Sequence, residues 1–78
     1  MTKALKIGTT AAAAITLAMD SGLTWDEAVA ALGVACKALA KKASNRGDGS
    51  EADCESHALK RFNQGFEQDV DVLSRNLH

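Results

Sequence analysis

Cys54 and His57, in the run DCESH, stand three residues apart, and on a helix that spacing puts a thiol and an imidazole on one face. The pair is half of a zinc site. Zinc takes four ligands, and only Cys36, His78 and carboxylates are left to complete the set. The same pair has the types of a thiol nucleophile and its base, but no third group orients the base and no oxyanion loop accompanies it. Gly47 and Gly49 mark a turn, yet they have neither the following lysine nor the preceding strand of a phosphate loop. The expectation is a helical histidine beside a semi-buried cysteine, with no catalytic group, no metal ligand set and no cofactor. The chain reads as something other than an enzyme.

The other candidate chemistry is cationic. Lys37, Lys41, Lys42 and Arg46 close the stretch LTWDEAVAALGVACKALAKK and the residues after it. Their meaning depends on the element that carries them. From Leu23, the order Glu27 and Ala28, then Leu32, Gly33 and Val34, then Leu39 with basic residues behind it resembles the DNA-binding helix-turn-helix of sigma factors and related regulators. The resemblance covers about a quarter of the chain. It implies a short helix ending at Leu32, a turn at Gly33, and a second helix from Ala35 to Ser44 in the major groove. Lys37, Lys41, Lys42 and Arg46 would then meet phosphates or bases.

The sequence departs from that pattern at two places. Val29 stands where the family has a small alanine, and Ala35 stands where a Ser or Thr caps the recognition helix. The reading face, Ala35, Cys36, Ala38 and Ala40, carries no side chain able to read a base edge. Left unbroken, the same stretch is one amphipathic helix with Val29, Leu32, Cys36, Leu39 and Ala43 in a stripe at three- and four-residue steps. Acidic residues then lie at its start and lysines at its end, as the helix dipole prefers. Gly33 inside it costs roughly 1 kcal/mol relative to alanine, which a helix packed closely at that point would offset. The unbroken helix is the preferred reading.

The rest of the chain also reads as helix. Seventy-eight residues make one domain, 1–78, close to the size at which a single core stops holding a chain folded. There is no proline, one Trp and two Phe, and alanine is abundant, so helix is favoured over strand. The first helix spans about residues 3–20, with Leu5, Gly8, Ala12, Ile15 and Met19 on one face and Gly22 ending it. Thr24 opens the second, about 24–44, with T-W-D-E as a capping box. SNRGDGS, residues 44–50, is a mobile turn in which Asp48 or Ser50 caps the next helix. That third helix, about 51–77, carries the stripe Ala58, Phe62, Phe66, Val70, Leu73 and Leu77, with Asp71 and Arg75 paired on its outer face.

The expected fold is all-α, a small three-helix bundle or helical hairpin whose core homodimerisation completes. Charge is divided along the chain. Up to Arg46 there are six Lys and Arg against three Asp and Glu, and from Gly47 onward three against seven, which suits self-pairing as well as a nucleic-acid face. Two cysteines do not make a disulfide scaffold. Lys3 and Lys6 ahead of a small apolar run resemble a signal peptide without a leucine-rich centre. The expected location is therefore cytoplasmic, without a membrane span. The expected function is protein–protein interaction: an adaptor or inhibitor occupying the surface of an unidentified protein partner, in the style of phage or mobile-element proteins. Trp25, Val29, Phe62, Phe66 and Leu73 are the expected partner or dimer interface. The alternative is a helix-turn-helix transcriptional regulator using residues 23–46.

Overall fold

Each helix of this protein begins at a hydroxyl. Thr2 Oγ1 accepts the backbone N–H of Leu5 at 3.3 Å, Thr24 Oγ1 that of Glu27 at 3.3 Å, and Ser50 Oγ that of Asp53 at 3.1 Å. Each bond satisfies one of the donors that a helix start leaves without a partner. The computed structural model describes residues 2–68. Three α-helices begin at those caps: α1, Lys3–Asp20; α2, Trp25–Asn45; and α3, Glu51–Phe66. The described residues are all-helical, with no strand among them.

The helix ends follow glycine. Gly22 takes a φ of +83° just past α1, where the Ser21 hydroxyl donates to the Ala18 carbonyl at 2.6 Å and accepts the Leu23 N–H at 3.2 Å. Past α2, Gly47 has a φ of +93°. Its N–H donates to Ser44 O and the Asp48 N–H donates to Ala43 O, both at 3.0 Å. These two bonds form a Schellman motif. The turn expected between α2 and α3 carries hydrogen bonds of its own: Arg46 is bonded to Asp48 at 2.9 Å and Ser50 caps α3. Between the two candidate caps, Ser50 is the one used.

α3 ends at Phe66, where the periodicity carries a helix on to residue 77. The N–H of Glu67 turns back to Asn63 O and that of Gln68 to Gly65 O, the tightened pattern of a last turn. Gly65 weakens the helix at this point. Val70, Leu73, Leu77 and the Asp71–Arg75 pair lie outside the described residues.

The chain divides into two compact units. Residues 2–28 hold α1 and the first turn of α2. Three threonines of α1 return their hydroxyls to the carbonyl four residues back, at 2.8–3.2 Å. Its half-buried side is Gly8, Ala11, Ala12, Ala14, Ile15 and Ala18, while Leu5 and Met19, both expected on the inner face, are exposed. Val29–Gln68 hold the rest of α2 and α3, joined by the short capped connection into an antiparallel hairpin.

Among the described residues only Ala28 and Ala40 are buried, and no large side chain is. In the hairpin, Cys36, Ala40, Ala43 and Ser44 of α2 and Cys54, Glu55 and Ala58 of α3 are the more enclosed residues. The inner row of α2 therefore passes through Ala40, 4% exposed, and not through Leu39, 66% exposed. Both rows are apolar, and the smaller one lets the helices approach more closely.

Candidate functional site

α2 is continuous from Trp25 to Asn45, and Gly33 lies within it without a positive φ. The bend that a helix-turn-helix places at Gly33 is absent. Among the described residues no neighbouring helix packs closely there: a Cβ built on Gly33 meets nothing within 4 Å. The glycine cost inside this helix is therefore not offset by a close approach among the described residues.

The start of α2 is strongly specified. The Thr24 N–H donates to Glu27 Oε1 at 2.9 Å, and the Thr24 hydroxyl donates to Asp26 Oδ1 at 2.7 Å. The Thr24 backbone N–H, and after it the hydroxyl, hold the Glu27 carboxyl below its ordinary value. For Asp26 the Thr24 hydroxyl is the first cause of a shift in the same direction, followed by the Asp26 backbone N–H. Both groups are fully exposed, so the shifts report local hydrogen bonding rather than a catalytic environment.

The four cations of the DNA-binding alternative are all exposed. Lys37 lies within α2, while Arg46 lies just past its end at Asn45. Lys37 Nζ lies 3.6 Å from Glu55 Oε1 on α3, and Arg46 is taken up by Asp48. Only Lys41 and Lys42 remain without a carboxylate partner among the described residues.

The thiols of Cys36 and Cys54 are free and half-buried. His57 is exposed on α3, and His78 lies outside the described residues. Among the described residues no three His, Cys, Asp or Glu side chains gather where they could hold a metal ion. No helix among them is long and apolar enough to cross a membrane.

Exposed apolar surface is what the chain does present. Trp25, the first residue of α2, is 81% exposed, and Phe66, at the end of α3, is 79% exposed. Val29 and Phe62 are also exposed; Leu73, the fifth expected interface residue, lies outside the described residues. The Phe62 and Phe66 rings stack with centroids 6.0 Å apart and planes inclined by 27°. Beside Phe62, the hairpin opens into a cleft of about 510 Å³ lined by Gly33, Cys36, Ala58 and Leu59, with Lys37, Glu55 and Ser56 at its edge. The expected interface omitted Leu59 and Gly33. Leu59 falls beside the apolar stripe of α3 by one residue, and nothing in a sequence marks the absence of a neighbour at Gly33. No protein-family model, curated protein or solved structure matches the chain.

Proposed function

We propose that this protein is a non-enzymatic interaction module, an adaptor or inhibitor that works by occupying a partner's surface, and that it self-associates as a homodimer. The observation that carries the reading is the inversion of the usual burial order. Among the described residues large side chains such as Trp25, Phe66, Leu17 and Leu39 are exposed, while the two buried residues, Ala28 and Ala40, are alanines. Apolar surface on this scale marks an interaction site, and Trp is over-represented among the residues that dominate binding energy. A cytoplasmic setting, and a phage or mobile-element origin in which small helical proteins block host machinery, accord with this reading.

The DNA-binding alternative takes second place. It rests on Lys41 and Lys42 once Lys37 and Arg46 are paired and α2 continues through Gly33. Affinity capture from the native host with the wild-type chain and a Trp25→Ala variant tests the main reading. One protein retained stoichiometrically by the wild type and lost by the variant is expected. Equal retention by both would remove Trp25 from the surface, and retention of duplex DNA alone would favour the alternative.

A further inference from the structure

The cleft between α2 and α3 has room at Gly33, an apolar wall in Leu59 and Phe62, and one charge of each sign on its rim. Building on the self-associating reading above, we propose that this cleft seats a second copy of the chain. Two α2–α3 hairpins close face to face into a four-helix bundle, α2 of each lying over α3 of the other, about a two-fold axis running along the hairpins.

The rim argues for self and for that axis. A two-fold interface uses one surface twice, so the surface must complement itself. Lys37 and Glu55 stand at one level on different helices, 3.6 Å apart. An axis along the hairpins brings each Lys37 to the second copy's Glu55. An axis across them brings Lys37 to Lys37, and like charges oppose association. The same match repeats one turn along, since Lys41 follows Lys37 on α2 and Glu51 precedes Glu55 on α3, each four residues away on the same side of its helix. Every neighbouring pair of helices is then antiparallel with opposite charges facing. A uniformly acidic or basic partner would meet a like charge on one side of the rim.

The arrangement also gives Gly33 a purpose. Leu59, one turn after Glu55, stands level with Gly33, one turn before Lys37, and both line the cleft, so the second copy's Leu59 arrives over the position where no Cβ stands. Two hairpins closing in this way cover Leu59, which is 62% exposed in the single chain.

Sedimentation equilibrium of the full chain across a wide concentration range tests this, with three variants. Leu59→Glu places a charge in the cleft, and Val34→Glu places one on exposed α2 surface that does not line it. Circular dichroism at high dilution checks that both stay helical. The expected result is a wild-type dimer whose dissociation constant rises about tenfold or more in Leu59→Glu and stays within about twofold in Val34→Glu. Lys37→Gln weakens the dimer when the axis runs along the hairpins and tightens it when the axis runs across them. A monomeric wild type, equal effects of Leu59→Glu and Val34→Glu, or tightening by Lys37→Gln overturns the proposal. A monomer that still captures its protein partner leaves the partner-binding reading standing but removes self-association together with this inference, whereas a dimer that Leu59→Glu leaves intact removes only the inference. A cleft-sealed dimer that captures no partner keeps the inference and removes the partner-binding reading.

Discussion

Thr24 and Glu27 cap α2 reciprocally: the Thr24 N–H donates to the Glu27 carboxylate at 2.9 Å, and the Glu27 N–H donates to the Thr24 hydroxyl at 3.3 Å. One side-chain pair thereby satisfies two backbone donors at the entrance to the longest helix. Thr24→Ala should lower stability by about 1 kcal/mol, and Thr24→Ser by much less, because the hydroxyl is what the cap requires. Urea melts of the three proteins at neutral pH measure both.

The same contacts set an acid dependence. Glu27 is held below its ordinary value chiefly by the Thr24 N–H, and Asp26 chiefly by the Thr24 hydroxyl. A carboxyl lowered in the folded state binds its proton only at lower pH than it does in the unfolded chain. Its contribution is therefore complete above the ordinary carboxylate pKa, about 4, and is lost as the pH falls through the lowered values. Helicity monitored from neutral pH downward should hold to about pH 5 and then fall, with a shallower fall in Thr24→Ala. An unchanged acid profile in that variant would remove the cap as its cause.

The connection between α2 and α3 depends on a left-handed residue. Gly47, at φ +93°, donates to Ser44 O. Gly47→Ala keeps the space but penalises that backbone, at a cost of about 1–2 kcal/mol. Gly47→Asn should cost less, since asparagine tolerates this region better. Thermal melts at one protein concentration give the order Gly, Asn, Ala.

Gly33→Ala should act in the opposite direction. Its backbone is helical and an added Cβ meets nothing within 4 Å, so the monomeric hairpin should gain roughly 1 kcal/mol from helix propensity. The full gain is expected in the Leu59→Glu background, where nothing closes over the cleft. In the wild-type background the gain should shrink. Equal gains in both would place Gly33 outside the interface.

Duplex binding, if measured, should be non-specific. Affinity for unrelated sequences is expected to be similar, to collapse between about 50 and 200 mM salt, and to vanish when Lys41→Glu and Lys42→Glu are combined. A sequence preference surviving physiological salt would restore the DNA-binding reading.

Local chemistry by itself determined where the helices lie. The Thr24 cap, Gly22, Gly47 and Ser50 announce helix starts and stops through donors, acceptors and φ values that belong to neighbouring residues, so the start and end of α1 and the starts of α2 and α3 were legible within a residue or so. The end of α3 at Phe66 was not legible, because the apolar period runs on past Gly65 while the helix stops one residue after it.

Only the tertiary structure decided which face turns inward. In an alanine-rich helix two adjacent rows are both apolar, so the 3.6-residue period cannot choose between Leu39 and Ala40, or between Met19 and Ala18. That choice depends on how closely another helix can come. It put the small residues inside and left Trp25, Leu59 and Phe66 on the surface. The same packing left Gly33 facing open space in an unbroken helix. Continuity of α2 is a balance between roughly 1 kcal/mol of glycine cost and the hydrogen bonds on either side, and the sequence carries the cost without the outcome.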